Sequence, residues 1–264
     1  MVLVGGGKMG SAMLEGWLER GLAASSVYVV EPGGAARAAL EALGVNAVAS
    51  DAELPADLKP GVIVLAVKPQ VMDAVAPAYA RFAGTVFLSI AAGKTIRYFE
   101  DKLGSSAAIV RAMPNTPAAV QRGITVACGN AKISDAAKAL SLDLLRAVGE
   151  AEWVEDEGLI DAVTALSGGG PAYVFLLAEV MAKAGATNGL PADLAERLAR
   201  VTVAGAGELL HQSSEAAATL RQNVTSPGGT TAEALKVLMA DDAWQPLMDR
   251  AIAAATARSK ELAG

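Results

Sequence analysis

Two glycine-rich turns, far apart in the chain, each run straight into a helix-like pattern. The first is "VGGGKMG", Val4 to Gly10; the second is "VTSPGGTTAEAL", Val224 to Leu235. A helix start presents unpaired N–H groups and the positive end of the backbone dipole, so each turn has the build of an anion-holding site. In the first, Gly5, Gly7 and Gly10 read G-x-G-x-x-G. The first glycine permits a tight turn, the second lets a pyrophosphate approach the backbone, and the third lets helix and strand pack closely. Glu31 stands about twenty residues further on, at the end of the next strand-like run, where the dinucleotide pattern places an acid for ribose hydroxyls. An acid there repels a 2′-phosphate and leans toward NADH; Arg37, six residues on, is the one nearby group suited to that phosphate. In the second turn, Thr230 and Thr231 offer hydroxyls beside the Gly228–Gly229 pair. Taken alone, that stretch also reads as a plain turn with one threonine as an ordinary helix cap.

The elements that must position these groups change character along the chain. "MVLVG", "VYVVE", "GVIVLAVKP", "GTVFLSIAAG", "AAIVRAMPN", "GITVACG" and "AEWVE" are strand-like, and helix-like stretches such as "GSAMLEGWLERG" and "AARAALEALG" lie between the early ones. Runs apolar throughout suit parallel strands buried on both faces, and the alternation implies a parallel sheet covered by helices. From about Glu155 strand signals vanish. "EGLIDAVTALS", "PAYVFLLAEVMAKAGATNG", "PADLAERLARVTVAGAGELLHQ", "TTAEALKVLM" and "AWQPLMDRAIAAATARSKELA" read as helices, with Pro171 and Pro191 at first-turn positions. The expected organisation is an α/β Rossmann-type domain over residues 1–154 and an all-α domain over 155–264. These helices are apolar around much of their circumference, which predicts a helical homodimer.

Composition narrows the function. Residues 1–152 carry 14 basic and 14 acidic side chains, whereas 153–264 carry 8 and 14, so the net charge of −6 lies wholly in the second part. No basic stripe suits nucleic acid. The lone cysteine, Cys128, excludes an intramolecular disulfide and fits a reducing cytoplasm. Glu179 and Lys183 interrupt the most apolar run before membrane-spanning length, and the start has no basic segment or long apolar core. The single histidine, His211, reads as a polar residue near a helix end, so no metal site is expected.

Two further segments end strand-like runs, where ligands gather in such sheets: "LAVKPQ", Leu65 to Gln70, and "VRAMPNTPA", Val110 to Ala118. The ordered set "GGGKMG", "AVKPQ", "VRAMPNTPA", "SGGGPAYVF" and "VTSPGGTTAEAL" closely resembles the pyrroline-5-carboxylate reductases, from Gly5 to Leu238. The resemblance implies an N-terminal Rossmann domain, a C-terminal helical dimerisation domain, interlocked dimers and, in many members, rings of dimers. It implies hydride transfer from NADPH or NADH to the C=N bond of 1-pyrroline-5-carboxylate, giving proline. By resemblance, Gly5, Gly6, Gly7, Lys8, Met9 and Gly10 hold the pyrophosphate, while Ala66, Val67, Lys68 and Pro69 border the nicotinamide together with Met113 and Asn115. Val224, Ser226, Gly228, Gly229, Thr230 and Thr231 then border the substrate. Many relatives prefer NADPH, against the lean of Glu31. The chain departs from common family residues at Lys8, Ala52, Gly169 and Met239, none at the proposed reaction centre. The first strand is short ahead of Gly5, which predicts a natural start upstream.

The chemistry suits these residues. A protonated cyclic imine is already electron-poor, and reduction leaves a neutral amine, so the protein must mainly orient the ring and offer its nitrogen a hydrogen-bond partner. Thr231 is the expected partner, with Thr230 the alternative, in an orienting role. Backbone N–H groups at the Gly-Gly helix start suit the substrate's carboxylate. That loop lies in the dimerisation half, so it is expected to reach the cofactor bound by a neighbouring subunit's sheet. Two other readings compete: a β-hydroxyacid dehydrogenase of the same layout, for which Lys183 is the only lysine in the early helices, and a non-catalytic NAD(P)-binding regulator.

Overall fold

The computed structural model describes residues 1–82 and 84–263. Eight strands form one sheet: β1 (Val2–Val4), β2 (Tyr28–Val30), β3 (Asn46–Val48), β4 (Val62–Leu65), β5 (Val86–Ser89), β6 (Ala108–Met113), β7 (Gly123–Gly129) and β8 (Gly149–Trp153). Their order is β3-β2-β1-β4-β5-β6-β7-β8. The first helices are α1 (Lys8–Glu19), α2 (Gly34–Glu41), α3 (Met72–Val75), α4 (Ile96–Leu103), α5 (Asp135–Leu145) and α6 (Ile160–Val163). Then follow α7 (Gly170–Thr187), α8 (Ala192–Gln212), α9 (Ala217–Asn223), α10 (Thr230–Leu238) and α11 (Trp244–Ala263).

Period-two alternation sorts the strand side chains onto two cores. Leu3, Val29, Val64 and Leu88 join Met13, Leu14 and Trp17 of α1 on one face. Val2, Val4, Ile63, Leu65 and Phe87 join Phe99 of α4 and Met72 on the other. Both faces of β1 and β4 are therefore covered, as their uninterrupted apolar runs require. At the end of α1, Trp17 donates its indole N–H to the Leu144 carbonyl at 2.8 Å, satisfying the one polar atom of a buried ring.

Four features depart from the sequence expectation. The sheet is not wholly parallel: β7 runs antiparallel to β6. The chain between them, 114–122, is too short for a parallel crossover, and its 3₁₀ turn Thr116–Val120 returns it as a hairpin-like connection. An additional strand, β3, lies parallel to β2 at one edge. Its residues are exposed or half-buried, so no apolar run marks it. Pro191 is the N-cap of α8 and lies just outside its first turn, and α9 is an additional short helix.

The chain forms two compact units, Met1–Gly168 with the chain from Ala255 onward, and Gly169–Ala254. Strand signals stop near residue 154, but the following run still packs on the sheet unit. Ile160 is fully buried in its core, and Glu157 pairs with Arg111 of β6. The last turns of α11 belong there too, through a 2.7 Å bond from Ser259 Oγ to Asp161. Within the second unit, α7 and α8 pack side by side around the Gly189 turn, φ +97°. A Cβ on Gly185 would lie 3.3 Å from Ala195 Cβ, so small residues set this close helix contact. Helices α7, α9 and α10 bury no residue within the unit. The helical run Glu157–Thr187 is long and apolar enough to cross a membrane by length and composition, with mean hydropathy 1.3 and 11% of its most apolar window buried.

Candidate functional site

The first glycine loop fills the gap between the C-terminal ends of β1 and β4, where strand order reverses. Gly5 has φ +100°, a conformation L side chains rarely adopt, and a Cβ there would lie 2.9 Å from Val67 and 3.0 Å from the Ala66 carbonyl. The loop after β1 is thus pressed against the segment after β4. Gly10 serves helix packing: its Cβ would fall 2.2 Å from the Gly5 carbonyl. Gly7 is the N-cap of α1, with no side-chain cap bond and no atom within 4 Å of a built Cβ. The helix start is therefore open, its N–H groups uncapped by any side chain, its first turn free of acids and its first residue Lys8. Lys8 is exposed and Met9 half-buried. A diphosphate fits this cradle, which offers backbone donors, a dipole end and one cation.

Glu31 follows β2 and turns back over the loop. Its Oε2 accepts the Gly6 N–H at 2.9 Å and its Oε1 the Gly33 N–H at 2.8 Å. A Cβ on Gly6 would lie 2.6 Å from Leu40 Cδ1, so a side chain there would have to displace that leucine tip. Arg37 lies over the same turn, donating to the carbonyls of Glu31 at 3.3 Å and Pro32 at 3.4 Å, with Glu41 4.0 Å away. The carboxylate and the guanidinium that could discriminate a ribose hydroxyl from a 2′-phosphate therefore share one turn.

Ala66 and Val67 are half-buried beyond the end of β4; Lys68 is exposed and Pro69 opens a 3₁₀ turn. Met113 is the last residue of β6 and Asn115 caps the next turn. The Asn115 carboxamide takes the Ile124 N–H at 2.9 Å and donates to the Ser167 carbonyl at 3.2 Å. Ser167 lies in a π-helical turn, Thr164–Gly168, and a Cβ on Gly168 would meet Met113 Cε at 2.6 Å. Earlier in the same strand, Arg111 is 4% exposed and donates to Glu157 Oε1 at 2.7 Å. The same oxygen accepts the Ile96 N–H at 2.9 Å at the start of α4. This pair was legible in part: an arginine inside the apolar run "AAIVRAM" calls for a buried partner, but spacing does not say which. Ser167 and Gly168 open the "SGGGPAYVF" motif, but nothing in it points to Asn115 or Met113, and Gly33 and Ile124 left no local signal.

The second turn belongs to the other compact unit and connects α9 to α10. Gly228 has φ +69°, and the Gly229 N–H closes the turn on the Ser226 carbonyl at 3.0 Å. Gly229 is the N-cap of α10, with no side-chain cap bond. Neither threonine caps the helix; Thr230 and Thr231 are its first two residues, both exposed. Among the described residues neither hydroxyl takes or gives a side-chain hydrogen bond, so both are available to a ligand. Ser226 is exposed, and Val224 is 68% exposed at the end of α9. Of the predicted residues, the structure gathers Gly5–Gly10, Glu31 and Ala66–Pro69 at the strand reversal, puts Met113 and Asn115 at the end of β6, and collects Val224–Thr231 in one turn. Among the described residues no cluster of histidine, cysteine, aspartate and glutamate could hold a metal ion.

Comparison with known proteins gives a consistent result. Residues 157–262 match the family described as "Pyrroline-5-carboxylate reductase dimerisation", and residues 1–93 match "NADP oxidoreductase coenzyme F420-dependent". A pyrroline-5-carboxylate reductase of Pseudomonas aeruginosa is 40% identical over 266 aligned positions, covering 100% of this chain and 96% of its own. A pyrroline-5-carboxylate reductase structure from Coxiella burnetii superposes with a TM-score of 0.92 at 35% identity, covering 100% of this chain and 98% of that one. A pyrroline carboxylate reductase structure from Plasmodium falciparum, with NADP bound, gives 0.80 at 30% identity, covering 100% and 97%.

Proposed function

This chain belongs to the pyrroline-5-carboxylate reductases, NAD(P)H-dependent oxidoreductases that reduce the C=N bond of 1-pyrroline-5-carboxylate to proline, and from that premise we propose how its residues divide the work. The observation that carries the proposal is the pair of open helix starts at Gly7 and Gly229, each capped by a glycine and by no side chain. They serve different anions. The Gly5–Gly10 loop takes the cofactor's pyrophosphate, with Lys8 adding charge. The Ser226–Gly229 turn takes the substrate's carboxylate on backbone N–H groups. Ala66–Pro69 and Met113–Asn115 border the nicotinamide, which supplies the hydride when bound.

Thr231 holds the ring nitrogen. Its hydroxyl is unengaged, one residue inside the helix start, and it can accept from a protonated imine or donate to the product amine. The work asked of it is orientation, since the iminium carbon is already electrophilic. Thr230 is the alternative for the same role. Glu31 selects the cofactor: its carboxylate beside Gly6 favours ribose hydroxyls and disfavours a 2′-phosphate, so we assign a lean to NADH. The NADP-bound Plasmodium falciparum relative supports the opposite lean, and Arg37 is the group that would answer it.

The dimerisation-family match and the unburied faces of α7, α9 and α10 support self-association, and rings of dimers are the proposed higher assembly. The same association would cover the apolar Glu157–Thr187 run, in keeping with a cytoplasmic enzyme. The test is direct. Purified protein is mixed with 1-pyrroline-5-carboxylate and either NADH or NADPH, and nicotinamide absorbance is followed. Oxidation with one or both is expected; none with either refutes the activity.

A further inference from the structure

The carboxamide of Asn115 is consumed on both sides by the protein itself. The Ile124 N–H can only donate, so Asn115 Oδ1 must face it, at 2.9 Å. The Ser167 carbonyl can only accept, so Nδ2 must face it, at 3.2 Å. The two partners fix the amide's orientation and leave one N–H and one lone pair.

What the amide holds is an irregular piece of backbone. Thr164–Gly168 is a π-helical turn, a widened form that breaks the regular carbonyl ladder and recurs at functional sites. Hydroxyls back-bond beside it: Thr164 Oγ1 donates to the Ile160 carbonyl at 2.7 Å and Ser167 Oγ to the Val163 carbonyl at 2.9 Å. Ala165 is buried beneath it, and Gly168 leaves the space in which the Met113 thioether tip sits. Seven residues before the turn, Glu157 pairs with Arg111 of β6 at 2.7 Å and holds the same run onto the sheet. Arg111 lies within β6, which ends at Met113, and Asn115 follows two residues beyond that end.

We infer that Asn115 is a positioning residue: its carboxamide ties the end of β6 to the π-helical turn and to the start of β7, and through that tie sets Met113 against the cofactor's reactive ring. It acts without contacting the cofactor through its side chain. The inference rests on the reading that Met113–Asn115 border the nicotinamide.

Three variants test it. Asn115→Asp keeps an acceptor for Ile124 but turns a second oxygen toward the Ser167 carbonyl. Asn115→Ala removes both bonds. Gly168→Ala pushes on Met113 from the other side and leaves Asn115 alone. The two Asn115 variants should lower kcat by roughly tenfold to a hundredfold, the scale of a small misplacement of reacting groups, and Gly168→Ala by less, because its clash falls on the flexible end of Met113. Cofactor dissociation constants from fluorescence titration should stay within about twofold, because binding and turnover separate for a positioning role. The primary isotope effect with 4-deuterated cofactor should rise as hydride transfer becomes limiting, a change that partial unfolding would not produce. Hydrogen exchange at Ile124 and across 164–168 should speed up in Asn115→Ala. Cofactor affinity falling in step with kcat would make the side chain a ligand and overturn the inference. Unchanged exchange would show there is no tie. Faster exchange with wild-type kcat and isotope effect would refute the nicotinamide placement instead.

Discussion

Glu31 Oε2 accepts the Gly6 N–H at 2.9 Å, joining the acid after the second strand to the first glycine loop. The other carboxylate oxygen accepts from Gly33 at 2.8 Å, so one side chain ties the first glycine loop to the turn after β2. Glu31→Gln keeps an acceptor for Gly6 and removes the negative charge. The ratio of kcat/KM with NADPH to that with NADH should rise roughly fivefold, since one like-charge contact at a half-exposed site is worth about 1 kcal/mol. An unchanged ratio in steady-state assays with both cofactors would take selectivity away from this residue.

Thr231→Ala removes the hydroxyl assigned to the ring nitrogen and leaves the glycine N-cap of α10 in place. Turnover should fall about tenfold, the loss of one hydrogen bond of roughly 1.4 kcal/mol at the transition state. Cofactor affinity should hold, because the Gly5–Gly10 loop is untouched. If Thr231→Ala turns over normally while Thr230→Ala is impaired, the role passes to Thr230.

Phe175 is 66% exposed on α7, a helix that buries nothing within its own unit. Covering such a side chain contributes about 1.5–3 kcal/mol. Light scattering of the native protein should give a multiple of one chain's 26.7 kDa. Phe175→Glu should shift the mass toward a single chain and lower activity at nanomolar enzyme. A native monomer would contradict the dimerisation reading.

Cys128 lies fully buried on β7, opposite Arg111 of β6. Burial pushes its thiol up to about 12, with the Glu157 charge adding to the rise and Arg111 opposing it. In the unfolded chain the thiol ionises nearer pH 9, so across that window the folded state binds more protons and stability falls as pH rises. Below pH 9 this contribution is fully present. Urea midpoints should decline from about pH 9 toward pH 12, and more shallowly in Cys128→Ala. A thiol reagent at pH 8 should label the denatured protein and spare the native one; rapid native labelling would contradict the burial.

The glycine loops were legible because their requirements are local. A positive φ at Gly5, an open N-cap at Gly7 and a close helix approach at Gly10 each follow from spacing along a strand-turn-helix segment. The long helices of the second half were equally plain from their period and apolar faces, whereas the short α9 was not. What escaped were features with no local period. Strand β3 is short and half-exposed, so no apolar run announces it, and the reversal at β7 depends on a connection too short to cross over. The change in composition near Glu155 marks where strands stop, whereas the compact unit continues to Gly168 because Arg111 and Asn115 hold the following run onto β6.

By itself, the sequence determined the parts: a glycine loop of dinucleotide spacing, an acid about twenty residues beyond it, a second glycine-capped helix start with two threonines, and helices with wide apolar faces. The tertiary structure alone decided how several of them are held. Glu31 reaches Gly6 across 25 residues of sequence, and Asn115 reaches Ser167 across 52. Such bonds depend on which strands become neighbours, and that is settled by burial of the whole sheet. The dinucleotide spacing points to Glu31 without showing its bond to Gly6, and the spacing near Asn115 carries no trace of its bond at all.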